Sequence, residues 1–183
     1  MQRWRVPLGF LCGAAFLVLA RPALRTLVIG GAVAVLGLGL RAWAAGHIRK
    51  NAALAVSGPY AYSRNPLYLG SFFLGIGFTL AAGRPVLLGA VFAALFLGIY
   101  LPVMRVEALT LAELFGDEYR RYARAVPLFF PRLTPYRDMT TTVAAAGDAK
   151  FDASLYLRYR EYRAALGLVF AWGVLALKAM MVK

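Results

Sequence analysis

Glu107 stands at the edge of a long apolar run and is the first acidic residue after 106 positions without one. An ionisable group at a membrane boundary is expensive unless paired, so it marks either a site or an ion pair with Arg105 or a nearby arginine. Ahead of the same apolar hairpin stands Gly58-Pro59-Tyr60-Ala61-Tyr62-Ser63-Arg64-Asn65-Pro66-Leu67-Tyr68-Leu69-Gly70. Behind it stand Phe115-Gly116-Asp117-Glu118-Tyr119 and Val126-Pro127-Leu128-Phe129-Phe130-Pro131. Polar and aromatic groups at both ends of a membrane hairpin are placed to meet at one surface. Such a site suits an enzyme that takes a water-soluble cofactor from one side and a lipid-like substrate from the other. Taken alone, Tyr60 and Tyr68 read equally as interfacial anchors. Arg64 reads as a ligand for a carboxylate or phosphate, or as a cation reaching lipid headgroups.

The elements that must carry these residues are written in the hydropathy. Of 183 residues, 61% are hydrophobic and 16% charged, with mean hydropathy +0.65, a composition of polytopic membrane proteins. The pattern predicts an all-α membrane protein with about five transmembrane helices in one domain over residues 1–183. The spans fall near 6–20, 23–45, 67–83, 85–104 and 164–177, with a cytoplasmic segment at 105–163. Arg3 and Arg5 before the first run fit a secretory signal, but Arg21-Pro22 follow at once without a small-x-small cleavage site, so the run reads as a retained span. Ala82-Gly83-Arg84-Pro85 is turn chemistry between spans three and four. Span four is expected to run on as a helix to Gly116, followed by a short basic helix over Asp117–Ala125. Asp152 is placed to cap a final helix that enters the membrane, and Tyr156, Tyr159 and Tyr162 read as an aromatic belt.

Charge gives orientation. All eight acidic residues lie between Glu107 and Glu161. With the N-terminus inside, sixteen of the 21 Lys and Arg share the cytoplasmic side, Arg41 at its border. The chain therefore reads as an inner (cell) membrane protein with its C-terminus on the opposite side. The net charge of +13 follows from topology and anionic-lipid contact; the basic residues are scattered and form no nucleic-acid module. One cysteine, Cys12, and one histidine, His47, do not make a Cys/His metal cluster.

The two motif halves together resemble those of the isoprenylcysteine carboxyl methyltransferase and phospholipid methyltransferase superfamily. The first half resembles its Gly-x-Tyr…Arg-His-Pro-x-Tyr-x-Gly pattern, and Glu107 to Pro131 resembles its Glu-Glu…Phe-Gly-x-x-Tyr…Val…Pro. The likeness covers roughly Leu54 to Pro131 in order, with a membrane hairpin between. It implies S-adenosylmethionine as methyl donor, an amphiphilic acceptor, and a cofactor pocket at the cytoplasmic ends of spans three and four. It places Leu54, Ala55, Tyr60, Asn65, Pro66, Leu67, Tyr68 and Glu107 around the cofactor, and makes Arg64 and Arg105 candidates for substrate contact. No residue is assigned as a catalytic acid or base. Apolar walls suit an adenine and a carboxylate suits ribose hydroxyls or a cationic group. Pro66 fits the first turn of a helix, and Gly70 allows another element close approach.

Three positions depart from the pattern. The motif histidine is Asn65, which hydrogen-bonds but does not titrate. The second glutamate is Ala108. The arginine that the prenylcysteine branch carries four residues before the glutamate is Val103, while Arg105 points to a different helix face. Displacement at a sulfonium rests largely on positioning, so Asn65 is compatible with activity. These departures open the acceptor to amines and other lipophilic nucleophiles. Two other readings stand beside methyl transfer: a nicotinamide-dependent membrane reductase of the sterol-reductase type, and a non-catalytic membrane protein on this scaffold.

Overall fold

A computed structural model describes residues 13, 16–48, 53–137 and 150–181. Among them the secondary structure is entirely helical: α1 (Leu24–Ala45), a 3-10 turn (Gly58–Ala61), α2 (Pro66–Ala81), α3 (Pro85–Ala125), α4 (Ala153–Arg158) and α5 (Tyr162–Met181). Three helices, α1, α3 and α5, are long and apolar enough to cross a bilayer, and α2 is a shorter apolar helix. The chain is an integral membrane protein with several candidate spans. Of the five expected spans, the first lies mostly outside the described residues. The third is shorter than a typical span: sixteen residues rise about 24 Å, against a hydrocarbon core of about 30 Å.

Most of the helix packing lies between α1 and α2, which meet through a seam of small residues. A Cβ added at Gly37 would lie 2.6 Å from the Gly70 carbonyl oxygen, and one at Gly77 would lie 2.6 Å from that of Gly30. Ala34 and Ala81 continue the seam and are fully buried. In lipid, where apolar burial alone does not bring helices together, such seams let backbones approach until dispersion and weak polar contacts hold them. Gly70 thus permits the approach expected of it. Trp172 of α5 reaches Gly31 and Phe78, joining the C-terminal helix to the pair.

The turn from α2 to α3 uses Gly83 at φ 71°, and Pro85 occupies the first turn of α3, where its missing N–H leaves nothing unsatisfied. α3 runs through Pro102 and well beyond the expected span. Gly116 breaks it at φ 53°, ψ −125°, so residues 117–125 leave as a second helical piece. A Cβ at Gly116 would meet nothing within 4 Å; glycine is needed there for its dihedrals and not for space. Asp152 caps a helix, accepting from the Ser154 amide at 2.8 Å, but that helix is only α4. The single final helix expected from the sequence is two pieces, because Arg160 turns the chain at φ 56° before α5 begins. That turn divides Tyr156 and Tyr159 from Tyr162.

Candidate functional site

Residues 60–65 and 122–136, far apart in sequence, are fastened together mainly through backbone carbonyls. Ser63 Oγ donates to the Phe129 carbonyl at 2.8 Å, the Arg64 amide to Pro127 at 3.0 Å, and Asn65 Nδ2 to Leu128 at 2.9 Å. In return the Arg132 and Tyr136 amides donate to the carbonyls of Tyr62 and Ala61, both at 2.9 Å, and Tyr122 Oη donates to that of Tyr60 at 2.7 Å. Ser63 and Asn65 are buried, so these bonds satisfy groups that water does not reach. The prolines at 127 and 131 keep this stretch out of a helix and leave its carbonyls open to partners.

A cavity of about 420 Å³ lies between the end of α1, the chain before the 3-10 turn, the start of α2 and the middle of α3. Leu54, Ala55, Tyr60, Asn65, Pro66, Leu67, Tyr68 and Glu107, the residues singled out by sequence, all line it, as does Arg64. Arg105 does not; it lies on an exposed face of α3, since two residues turn a helix by about 200° from Glu107. The α3 wall is a helical stripe: Met104, Ala108, Leu111, Phe115, Tyr119 and Tyr122. Ala108, where the resemblance carries a second glutamate, leaves this wall apolar. Sequence reasoning missed Met104, Leu111 and Tyr122; counting in threes and fours from Glu107 reaches the first two, whereas Tyr122 lies beyond the break at Gly116. It also read Arg41 only as an interfacial cation, whereas Arg41 lines the cavity.

The polar groups fall into two sets. Tyr68 Oη donates to Glu107 Oε2 at 3.2 Å, joining α2 to α3 at the cavity mouth. Arg64 Nη1 donates to Tyr119 Oη at 3.1 Å, and the guanidinium lies 6.0 Å from that ring's centroid. Tyr60 Oη and Arg64 Nε are buried and, among the described residues, have no hydrogen-bond partner. Burial pushes the Tyr60 phenol well above its ordinary range, and the neighbouring Tyr122 and Glu107 add to this. Tyr60 therefore stays protonated and is a standing donor. Both atoms belong to residues that line the cavity, and a buried donor without an acceptor is costly.

The cavity thus offers apolar walls at Leu54, Met104 and Leu111, donors at Tyr60 and Arg64, and one carboxylate at Glu107. These residue types are compatible with S-adenosylmethionine, which carries an adenine, a carboxylate, ribose hydroxyls and an amino group. Tyr100 carries an aromatic run from this mouth into the apolar region, with its ring 5.5 Å from Tyr68 and stacked at 4.8 Å on Phe96. Phe129, brought in by the carbonyl ties, packs against Phe72 and Phe96 at 5.6 Å.

Comparison with known proteins agrees with the motif. A cobalt-zinc-cadmium resistance protein, CzcN, of Cupriavidus metallidurans is 37% identical, covering 75% of this chain and 66% of the relative. A nickel-cobalt-cadmium resistance protein, NccN, of Alcaligenes xylosoxydans xylosoxydans is 36% identical, covering 66% of this chain and 55% of the relative. The chain therefore spans about two thirds or less of the length of these two relatives. A protein-S-isoprenylcysteine O-methyltransferase of Mus musculus is 33% identical over 43% of this chain and 27% of its own length. No solved structure matches. The model of the phospholipid methyltransferase family matches residues 22–118, which carry α1, α2, most of α3 and most of the cavity wall. The chain belongs to the phospholipid methyltransferase family.

Proposed function

We propose that the protein is a membrane methyltransferase that binds S-adenosylmethionine in the 420 Å³ cavity and methylates a lipophilic or amphiphilic acceptor. The observation that carries this reading is the convergence of residues from three separate stretches, around Leu54, Tyr60–Tyr68 and Glu107, on one cavity with two unpartnered buried donors. The bound donor supplies an electrophilic methyl whose transfer to a nucleophile releases a neutral thioether. The residues of this chain bind and orient. Tyr60 and Arg64 hold a carboxylate, Glu107 holds the opposite polar end with Tyr68 fixing its carboxylate, and the apolar stripe of α3 excludes water. Asn65 acts by position, since its amide is committed to Leu128. Alignment and desolvation of this kind supply much of the acceleration in a direct displacement. On the charge pattern the cavity faces the cytoplasm, within a single domain spanning residues 1–183, and the acceptor enters from the bilayer.

The test is incubation of the protein with radiolabelled methyl donor and a total lipid extract, followed by identification of the labelled product. A labelled lipid is the expected result; no label in any fraction, from protein that binds S-adenosylhomocysteine, points to the non-catalytic alternative. A thermal-shift comparison of S-adenosylhomocysteine with NADPH separates methyl transfer from the reductase reading, which the family match disfavours. The names of the two resistance proteins favour a setting in metal-ion tolerance. In that reading the methylated product protects the membrane, and a deletion strain grows less well on cobalt, zinc or cadmium until the wild-type gene, but not a Glu107→Ala copy, is returned.

A further inference from the structure

The segment after residue 150 lies outside the family match, yet it is bound to the end of α1 beside the cavity at three points. The Asp152 amide donates to the Gly46 carbonyl at 3.0 Å, and the Phe151 ring lies 6.3 Å from that of His47. Glu161 then takes Arg41 in a two-pronged ion pair, with Nη2 2.9 Å from Oε1 and 2.7 Å from Oε2, and Nε 3.1 Å from Oε2. The two side chains are 21% and 15% exposed, so the pair is largely withdrawn from water. The remaining guanidinium nitrogen, Nη1, donates to Ser71 Oγ and to the Leu67 carbonyl at 3.3 Å. Ser71 Oγ donates to that same carbonyl at 3.0 Å. Every nitrogen of Arg41 is therefore engaged. Arg41 lines the cavity with its side chain but is not free to hold a ligand's charge.

We infer that Glu161 is a positioning residue: through Arg41 it fixes the first turns of α2, and with them the Leu67–Tyr68 wall of the cavity. The C-terminal segment thereby becomes part of the donor site without touching the donor. A guanidinium planar enough to meet a carboxylate with two bonds and a carbonyl with a third holds three elements in one register, which a lysine does not do. Loss of the carboxylate leaves a half-buried cation with its strongest partner gone, so the guanidinium turns toward water and releases Leu67. For the ligand, the inference rests on the cofactor reading of the cavity.

The experiment uses the full chain in lipid nanodiscs, as wild type, Glu161→Gln, Glu161→Asp, which keeps the carboxylate, and Asp117→Asn as a control on an exposed pair. Two quantities are read well below the melting temperature: hydrogen exchange of the peptide covering residues 66–74, and affinity for S-adenosylhomocysteine. Glu161→Gln is expected to speed exchange in that peptide and to weaken binding, each by about tenfold, while Asp117→Asn changes neither. A smaller change in both for Glu161→Asp than for Glu161→Gln supports the inference. Unchanged exchange at residues 66–74 in Glu161→Gln overturns it, and so does unchanged affinity despite faster exchange. If the wild type binds no S-adenosylhomocysteine, the cofactor reading falls, and the exchange measurement alone decides the role of the pair.

Discussion

Asn65 Nδ2 donates to the Leu128 carbonyl across 2.9 Å, tying the residue that caps α2 to the chain that leaves α3. Asn65 is 9% exposed, and the bond spans 63 positions of sequence. At the place where the family pattern carries a histidine, this chain thus uses the side chain as a fastener. The Ser63 hydroxyl and the Arg64 backbone amide hold the two neighbouring carbonyls.

Replacing Asn65 with Ala leaves the Leu128 carbonyl without its partner and is expected to cost about 1–2 kcal/mol of stability. Asn65→His keeps a ring N–H and is expected to lose less than half of that. Thermal denaturation in a common detergent compares the two. Equal losses for both would show that the side chain's shape, not its donor, is what matters.

The helix seam makes a paired prediction. Gly37→Ala forces a methyl to within 2.6 Å of the Gly70 carbonyl oxygen, whereas Gly39→Ala meets nothing within 4 Å. Gly37→Ala is expected to destabilise by about 1–3 kcal/mol through overpacking, and Gly39→Ala to be neutral or stabilising by up to about 1 kcal/mol through helix propensity. The melting temperatures of the two variants should therefore move in opposite directions or by clearly different amounts.

At Gly116 the strain is in the backbone alone. With φ 53°, ψ −125° and open space around it, Gly116→Ala is expected to cost about 1–3 kcal/mol or to straighten α3. Straightening would carry Tyr119 and Tyr122 off the cavity wall. Loss of S-adenosylhomocysteine binding together with a retained helical signal in circular dichroism is the outcome that marks this route.

Tyr60 gives a test that separates stability from binding. Its buried hydroxyl has no partner among the described residues, so Tyr60→Phe is expected to be neutral or mildly stabilising at pH 7 while weakening S-adenosylhomocysteine by about five- to tenfold. The sign of its pH dependence is fixed by burial, which holds the folded phenol well above its ordinary value of 10.0. Below pH 10.0 both folded and unfolded chains keep the proton. Above it the unfolded chain releases the proton first, so stability falls as pH rises. Ultraviolet titration should show a tyrosine that stays protonated past pH 10.0 in wild type, and Tyr60→Phe should flatten the alkaline loss of stability.

Local rules made much of this molecule legible from its residues. Pro66 at a helix start, Gly83 in a turn, Gly116 as a break and Gly70 at a close approach each follow from what one residue's backbone permits, and each sits where those limits place it. Leu54, Tyr60, Tyr68 and Glu107, grouped by the family resemblance, line one cavity because the motif halves frame a hairpin that brings its ends together. The carbonyl ties of residues 127–129 were not, because a backbone oxygen has no signature in sequence. Nor was the pair of Arg41 and Glu161, which lie 120 positions apart. A cation at a membrane edge looks the same whether it meets a lipid or a carboxylate. The turn at Arg160 escaped for a related reason: an arginine at positive φ breaks the ordinary preference, and the two helices that it joins, α4 and α5, both contact α1.

Isothermal titration calorimetry with S-adenosylhomocysteine, on the wild-type chain and Glu107→Ala in nanodiscs, decides whether the cavity holds the methyl donor against Glu107. One binding event is expected for the wild type, and an affinity at least about tenfold weaker for Glu107→Ala, as loss of a charged hydrogen-bonding group gives, with its melting temperature unchanged. No binding by the wild type, or equal binding by both proteins, would contradict that placement.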